Sequence, residues 1–317
     1  MDPQAVVAPL RGEVRRGAAA VAREAVRLFE EAVEASAAPD ADALRAELAA
    51  LARAALGAQP AMAPLVALGA AVLRAASGVA GAAEARAAVC AALAAFRDRL
   101  ARAAREIAGR AEALIPAGGR VLTVSSSSTV CAALLEAARR RAFDVICLEG
   151  RPNLEGRALA AALAAAGVRV TLAVDAAVGA LVRGCDLVLV GADSIGDLGV
   201  VNKIGTCPAA WAARSAGVPI YALADTTKIL PPGFPQPVAD DRPAAEVWAG
   251  APPGVVVWNR YFEATPLALF AGVVTEQGLR GVEELERFRA ALEVPAELRA
   301  AAGSGTTTPP GGGPAAP

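Results

Sequence analysis

The chain has 317 residues, of which 31 are Lys or Arg and 32 are Asp or Glu, so its formal net charge is −1. This balance leaves no overall electrostatic footprint for nucleic acid or an anionic membrane, and no direct nucleic-acid binding is expected. The chain contains no histidine, which excludes Ser-His-Asp triads, Cys-His pairs and His-ligated zinc. Acid–base chemistry must then fall to Asp, Glu, Lys, Cys or Tyr.

The cysteine pattern and the apolar pattern indicate the compartment. Five widely spaced cysteines without a CxxC pair favour free thiols over a disulfide framework. The apolar stretches are interrupted by Arg or Glu every few residues, and the first residues lack the basic start and apolar core of a signal peptide. A cytoplasmic protein without a membrane segment is expected, and no pattern indicates a metal or a cofactor.

Residues 13–117 predict a helical domain, which follows an N-terminal segment at 1–12. Apolar residues recur at helical spacing through long stretches rich in Ala and Arg. Breaks fall near Pro39, between 57 and 60, and around Gly78. We expect about four helices, with Cys90 in their core.

From residue 118 to about 300, short β-rich runs alternate with helical patterns, which indicates a mostly parallel sheet covered on both faces. The predicted fold class is therefore α/β, a helical domain followed by a Rossmann-like, doubly wound domain. Residues 301–317 are low in complexity and predict a disordered tail. The predicted strands are 120–125, 144–149, 169–175, 187–193, 219–225, 255–259 and 271–277.

Five polar residues fall at or near the carboxyl ends of predicted strands: Ser125, Glu149, Asp175, Asp193 and Asp225. They should gather along one edge of the sheet, which is where ligands bind in open α/β sheets. Asp is also a common turn-former and helix N-cap, so each acid alone has a structural explanation.

Residues 191–206, GADSIGDLGVVNKIGT, form the densest polar segment. Asp193 lies just beyond a buried strand, and Asn202 and Lys203 precede a helix that begins at Thr206. The segment thus offers a carboxylate, an amide, an ammonium and a helix N-terminus. A plain polar connection between strand and helix is the alternative interpretation.

The first strand is followed by serines instead of a dinucleotide-binding GxGxxG, and no P-loop occurs. Ser126, Ser127 and Ser128 lie where hydroxyl and N–H groups at a helix N-terminus could hold a phosphate, or could simply cap the helix. Lys203 and Lys228, in a chain whose cations are overwhelmingly Arg, suggest point-charge recognition of phosphate, with solvated lysines as the alternative.

Residues 229–254 contain seven prolines and little periodicity. A loop of this length is usually functional or mobile. It could cover the site that Lys228 opens, or link two strands along the surface.

The segment 191–206 resembles the family that contains the alpha, beta and delta regulatory subunits of eukaryotic translation initiation factor 2B, methylthioribose-1-phosphate isomerase and ribose-1,5-bisphosphate isomerase. Further similar pieces follow in the family's order at 149–177, 217–229 and 258–278. The resemblance covers roughly 118–280. It implies a helical domain before a Rossmann-like domain and assembly into a homodimer or higher homo-oligomer.

The resemblance also implies roles for individual residues. In the family's isomerases, a Cys after the first strand and the Asp of the GAD motif are the catalytic pair, which here assigns catalysis to Asp193. The Asn-Lys pair of the motif and a later Lys hold substrate phosphate or hydroxyls, which assigns ligand contacts to Asn202, Lys203 and Lys228.

The start of the chain and the first strand complete this comparison. Arg16 and Gly17, in a short Arg-Gly-Ala match, are similar to the family's early substrate-binding loop. The catalytic Cys is absent: Ser125 takes its position, and Cys131, six residues on in a predicted helix, cannot occupy the same place.

This replacement decides between functions, because Ser needs an adjacent base where Cys can be tuned to a thiolate. Losing one member of an acid–base pair typically removes a factor of about 10² to 10⁴ in rate. The initiation-factor-like branch tends to carry Ser here. The favoured hypothesis is therefore a regulatory protein that binds a sugar phosphate or nucleotide without efficient turnover.

Two alternatives remain open. One is an aldose–ketose isomerase, an intramolecular oxidoreductase, acting on ribose 1,5-bisphosphate or a related 1-phosphorylated pentose. Asp193 would then protonate the ring oxygen, and Ser125, Glu149 or a water would replace the missing thiolate. The other alternative is a scaffold with a vestigial site.

Overall fold

The structure, a computed structural model, describes residues 2–11, 17–79, 81–238 and 241–302. The first third of the chain is helical, as predicted. Its helices are α1 (Pro3–Val6), α2 (Ala8–Arg11), α3 (Ala18–Ala35), α4 (Ala41–Ala58), α5 (Pro64–Ala75) and α6 (Ala82–Glu112).

The helix boundaries follow from local chemistry. Asp40 caps α4, because its carboxylate accepts the backbone N–H of Ala43 at 2.8 Å. Pro64 opens α5 at a position where a missing N–H costs nothing. The prediction that Cys90 lies in the core is wrong, since its side chain is exposed. The buried stripe of α6 runs through Val89 and Leu93, and the next residue after Val89 faces solvent.

Strands and helices then alternate to the end of the described chain. Short 3-10 turns lie at Asp175–Ala177, Val182–Gly184, Thr226–Lys228 and Leu267–Leu269. The longer elements are β1 (Arg120–Val124), α7 (Ser128–Ala138), β2 (Asp144–Leu148), α8 (Glu155–Ala165), β3 (Arg169–Ala173), α9 (Val178–Leu181), β4 (Leu187–Val190), β5 (Ser194–Gly196), β6 (Gly199–Lys203), α10 (Thr206–Ala216), β7 (Ile220–Leu223), α11 (Ala245–Trp248), β8 (Phe262–Thr265), β9 (Gly272–Thr275), β10 (Gly278–Arg280), α12 (Val282–Ala290) and α13 (Ala296–Ala302).

Seven strands form the main sheet in the order β10-β9-β7-β4-β1-β2-β3. All neighbouring pairs are parallel except β9 and β10. The chain moves outward from β1 in one direction and from β4 in the other, so the strand order reverses between these two strands. This confirms the predicted α/β, Rossmann-like class, in which such a reversal creates a crevice for ligands.

A second, antiparallel sheet of β5, β6 and β8 was not predicted from the sequence. Asn202 and Lys203 consequently lie in β6 and not in a loop. The glycines around Asp197 close a β-hairpin, in which Gly199 has a φ of 96°. Glycine-rich turns are equally common in ligand loops and hairpins, which is why the pattern alone did not separate them.

The prediction of a strand at 255–259 is wrong. The edge of the main sheet next to β7 is taken by β9. Val256 is 93% exposed and has no ladder partner within the described part of the chain. A β-prone run forms a strand only where another strand is available to pair with it.

Three apolar cores hold the molecule together. One fills the helical half, and the other two cover the two faces of the main sheet. Leu230, Phe234 and Leu298 from the second half of the chain join the helical core. Gln236 donates to Ser194 Oγ at 3.0 Å and to the Gly199 carbonyl at 3.1 Å. The proline-rich loop therefore fastens the β5–β6 hairpin to the helical half.

Two further predictions concern the ends of the chain and its helices. The predicted disordered tail lies outside the described residues from 303 onward, since α13 ends at Ala302. Of the helices that the structure describes, none combines the length and the apolar character needed to cross a lipid bilayer.

Candidate functional site

The candidate site lies where the strand order reverses. Ser125 directly follows β1, and Asp193 follows the neighbouring strand β4. The helical half supplies the opposite wall. The backbone N–H of Ala18, in the first turn of α3, donates to Asp193 Oδ1 at 3.3 Å, and the N–H of Ala63 donates to the Asp193 carbonyl at 3.3 Å. The site is thus a crevice between the two halves of the chain.

Asp193 is a buried acid, with 7% of its surface exposed. Burial raises the pKa of its carboxyl, while nearby Lys228, the Ala18 N–H and Lys203 act in the opposite direction. A carboxyl whose pKa is raised and that sits beside cations can hold a proton and release it.

The two lysines are the only ones in the chain. Both are buried, Lys203 at 7% and Lys228 at 3% exposure, so the alternative of solvated lysines is wrong. Their environments differ. Lys203 Nζ forms an ion pair with Glu155 Oε1 at 2.8 Å and lies 4.8 Å from the centre of the Tyr261 ring. Both contacts stabilise the ammonium.

Lys228 has no comparable partner. It ends the 3-10 turn after β7, and its ammonium forms no hydrogen bond or ion pair with any residue that the structure describes. Its positive charge acts to lower the pKa of Asp193, so the two groups interact electrostatically. A buried ammonium without a hydrogen-bonded anion is costly, so this position favours an incoming anion.

Ser125, the first residue after β1, has an unusual backbone. Its φ is 59°, in the left-handed region that non-glycine residues seldom adopt. Its side chain is buried and its hydroxyl donates to Glu155 Oε2 at 3.3 Å. Gly150 packs against it so closely that a Cβ there would lie 2.8 Å from Ser125 Oγ. The surrounding structure therefore enforces this conformation.

Glu155 is the site residue that sequence reasoning missed. It is the first residue of α8, and its two carboxylate oxygens contact Ser125 and Lys203. The residue lies within segment 149–177, which carries part of the family resemblance. An acid in the first turn of a predicted helix is explained by its favourable interaction with the helix dipole, so the sequence offered no reason to assign Glu155 to the site.

Asn202 and the start of α10 are occupied by internal contacts. Asn202 Nδ2 donates to Thr206 Oγ1 at 3.0 Å. The carboxylate of Glu263, from β8, accepts the N–H groups of Gly205 at 2.7 Å and Cys207 at 2.8 Å. Burial raises the pKa of Glu263, and these N–H groups oppose that shift. The helix N-terminus that the sequence offered for an anion is therefore already capped by a side chain.

The serines after β1 divide into two roles. Ser127 caps α7, since its hydroxyl accepts the Val130 N–H at 3.4 Å. Gly191 must lack a side chain, because a Cβ there would lie 2.6 Å from Ser127 Oγ. Ser126 and Ser128 are exposed. A cavity of about 110 Å³ adjoins this turn, and its lining residues are Ala19, Arg23, Leu100, Ala104, Ile107, Ser128, Thr129 and Asp225.

Three strand-end acids have structural partners instead. Asp175 accepts the N–H groups of Gly150 at 2.9 Å and Arg151 at 2.7 Å. Asp225 caps the turn that carries Lys228 by accepting an N–H at 3.1 Å. Glu149 forms an ion pair with Arg157 at 3.5 Å. Asp175 and Asp225 hold the loops of the site, and no hydrogen bond or ion pair joins any of the three acids to Ser125 or Asp193.

The structure describes only part of the predicted early substrate-binding loop. Gly17 is the exposed N-cap of α3, immediately before Ala18 and hence beside Asp193. Arg16 lies outside the described residues.

Comparisons with known proteins found related sequences and structures. A sequence model of the Initiation factor 2 subunit family matches residues 14–280. A ribose 1,5-bisphosphate isomerase of Haloferax volcanii is 34% identical over 279 residues, which cover 83% of this chain and 84% of that protein. A methylthioribose-1-phosphate isomerase of Gemmatimonas aurantiaca is 36% identical over 180 residues, so the match spans 52% of each chain. Among solved structures, the translation initiation factor eIF-2B of Pyrococcus horikoshii OT3 superposes with a TM-score of 0.75 at 28% identity and covers 87% of this chain and 96% of that one.

Proposed function

The chain belongs to the initiation factor 2 subunit family, and from this premise we propose that it binds a phosphorylated sugar in the crevice between β1 and β4. The observation that carries the proposal is the buried ammonium of Lys228, which lacks a hydrogen-bonded anion among the described residues. A phosphate would supply a hydrogen-bonded counter-charge. The protein would bind this ligand and respond to it without efficient turnover. Such a regulatory role would explain why Ser125 stands where the family's isomerases carry Cys.

The polar groups of the crevice support a sugar more than a bare anion. Asp193 presents a carboxyl near the switch point, and Asn202 Oδ1 lies near Gly191, while its Nδ2 is engaged by Thr206. Such groups bind hydroxyls, whereas Lys228 suits the phosphate. The named relatives include an isomerase of ribose 1,5-bisphosphate, which makes a phosphorylated pentose the first ligand to test and a nucleotide the second.

Titration calorimetry with ribose 1,5-bisphosphate tests this proposal. We expect the wild-type protein to bind, and Lys228→Met to weaken binding by about 10- to 100-fold, as loss of a charge-assisted hydrogen bond implies. Asp193→Asn is the matched control, because it changes the neighbouring charge and keeps the shape, and it should bind much as the wild type does. Absence of binding by the wild type, or full affinity in Lys228→Met, would contradict the proposal.

A second candidate function, aldose–ketose isomerisation, is favoured by Asp193. Its buried carboxyl has a raised pKa, which suits a general acid that protonates the ring oxygen of a 1-phosphorylated pentose. Proton NMR of the protein with ribose 1,5-bisphosphate would reveal a ketose product. Conversion should vanish in Asp193→Asn while calorimetric binding remains.

Assembly into a homodimer or higher homo-oligomer remains part of the proposal. Its support is the exposure of all three tryptophans of the chain, Trp211 at 55%, Trp248 at 51% and Trp258 at 60%. Exposed aromatic residues are enriched at protein interfaces. Light scattering coupled to gel filtration tests the prediction, and a strictly monomeric mass would contradict it.

A further inference from the structure

Ser125, Glu155 and Lys203 form a continuous polar chain in the site. Ser125 Oγ donates to one Glu155 oxygen at 3.3 Å, and Lys203 Nζ donates to the other at 2.8 Å. The three residues come from the end of β1, the start of α8 and the end of β6. Nothing in local sequence brings them together, so the tertiary fold has placed a carboxylate against the serine that replaces a thiol.

A serine hydroxyl needs such a neighbour to accept a proton, because it does not ionise near neutral pH by itself. Histidine is the usual partner and is absent from this chain. A carboxylate that already accepts the hydroxyl proton in a hydrogen bond is the arrangement that general-base chemistry requires. The ammonium of Lys203, 2.8 Å from the other oxygen, fixes the orientation of that carboxylate.

We propose that Glu155 is the proton acceptor that enables Ser125 to replace the missing thiolate, so that the site converts a 1-phosphorylated pentose into its 2-ketose. This inference rests on the proposed sugar-phosphate site and deepens the second candidate function, isomerisation, in place of a regulatory protein without efficient turnover. Glu155 acts through Ser125 and is in this sense a positioning residue, whereas Ser125 and Asp193 face the substrate.

The proposed step balances within the substrate and these side chains. Asp193 gives a proton to the ring oxygen, and the bond between that oxygen and C1 breaks with its electron pair left on the oxygen. The hydrogen on C2 moves with its electron pair to C1. The 2-hydroxyl proton passes to Ser125 as the Ser125 proton passes to Glu155, and C2 becomes a carbonyl. No oxidant or reductant enters, and proton exchange with water restores both carboxyls.

Glu149, the acid that the sequence alone suggested, does not fit this role. Its carboxylate forms an ion pair with Arg157 at 3.5 Å, and the Ser125 hydroxyl donates to Glu155 and not to Glu149. Glu149 lies six residues before Glu155 and on the same sheet edge, so it provides a matched control for removing one negative charge from this region.

The test follows conversion of ribose 1,5-bisphosphate by proton NMR, with calorimetric affinity measured on the same proteins. Glu155→Gln should lower kcat by about 10² to 10⁴-fold, the usual range for loss of a general base. Its affinity should stay unchanged, and Glu149→Gln should convert at the wild-type rate. Glu155→Asp is the second variant, in case Glu155→Gln fails to fold. It keeps a negative charge beside Lys203 but moves the carboxylate away from Ser125, so its kcat should also fall.

Two further variants separate proton transfer from a structural role. Ser125→Ala and the double variant Ser125→Ala/Glu155→Gln should lose the same factor as Glu155→Gln, because residues that act as one unit are not additive. Ser125→Cys restores a thiol that ionises without Glu155. In that background, Glu155→Gln should lower kcat only slightly. If Glu155 had only a structural role, its replacement would lower kcat as much as it does in the presence of Ser125.

The outcomes distinguish this inference from the binding proposal. Binding without conversion by the wild type overturns the role of Glu155 and leaves the sugar-phosphate site standing, whereas absence of binding overturns both. Three results would each overturn the role of Glu155. They are a wild-type kcat in Glu155→Gln, additive losses of kcat in the double variant, and an equally large loss of kcat from Glu155→Gln in the Ser125→Cys background.

Discussion

The backbone N–H of Ala18 donates a hydrogen bond of 3.3 Å to Asp193 Oδ1, although 175 positions separate the two residues. The donor lies at the N-terminus of α3, whose macrodipole favours a negative charge there. An acid of the proposed site, which belongs to the sheet domain, is thereby held by the first turn of the helical domain. The site therefore depends on both halves of the chain being packed together.

The burial of Asp193 predicts a pH dependence of stability. Its pKa is raised in the folded protein, so the folded state binds the proton more tightly than the unfolded chain does. The stabilising contribution is full below the unfolded pKa of about 3.9 and is lost as the pH rises through the folded pKa. Asp193→Asn does not titrate, and we expect its melting temperature to rise relative to wild type as the pH rises from about 4 through the folded pKa of Asp193. Thermal melts across this range measure the difference, and parallel curves would show that burial does not perturb this acid.

The two lysines should have opposite effects on the stability of the ligand-free protein. Lys228→Met removes a buried ammonium without a described hydrogen-bonded partner and should raise the melting temperature. Lys203→Met breaks the ion pair with Glu155 and should destabilise the fold by about 2 to 3 kcal/mol, because a mostly buried carboxylate loses its cation. Urea unfolding of both variants measures this contrast. Destabilisation by Lys228→Met would indicate that its ammonium has a stabilising role in the free protein.

A sugar phosphate should shield Lys228 from chemical modification. Because the chain has only two lysines, reductive methylation followed by mass spectrometry reports on each of them separately. Ribose 1,5-bisphosphate should slow methylation at Lys228 through its new ion pair. Inorganic sulfate at the same ionic strength is the control. Equal protection by sulfate would mean that the site recognises an anion and not a sugar.

Gly150 should be intolerant of a side chain because of its contact with Ser125. An added Cβ would lie 2.8 Å from Ser125 Oγ and 3.0 Å from its Cα, and Gly150 also has a φ of 75°. Gly118→Ala is a matched control, since Gly118 has a φ of 73° and open space around its missing Cβ. We expect a cost of about 1 kcal/mol for the control and clearly more for Gly150→Ala, measured by denaturant unfolding. Equal costs would mean that Ser125 can move aside freely.

Glu263 should matter for folding and not for ligand affinity. Glu263→Ala leaves two backbone N–H groups of α10 without their acceptor and should cost about 2 kcal/mol or more. Glu263→Gln keeps an acceptor oxygen there and should cost less. Neither variant should weaken sugar-phosphate binding in calorimetry. Weaker binding in Glu263→Gln, the milder variant, would show that this helix end contributes to the ligand site.

The sequence by itself determined the helical first third and the alternation of strands and helices, and it predicted the edge of the sheet at which the proposed site lies. These features follow from short-range periodicity and from the rule that parallel strands end on one edge. It also singled out Asp193, Lys203 and Lys228 as candidates, because polar groups after buried strands and rare lysines stand out in a linear reading. Neither the antiparallel sheet nor the unpaired run at 255–259 was accessible this way, since pairing depends on which strands meet.

Only the tertiary structure decided what each polar residue contacts. It paired Glu155 with Ser125 and Lys203 and tied Glu149 to Arg157, although both acids occupy similar places in the sequence. It also filled the N-terminus of α10 with Glu263 and left the ammonium of Lys228 without a hydrogen bond among the described residues. The physical reason is that a side chain's charge state and chemistry depend on burial and on neighbours brought from distant positions. These contacts are absent until the chain is packed.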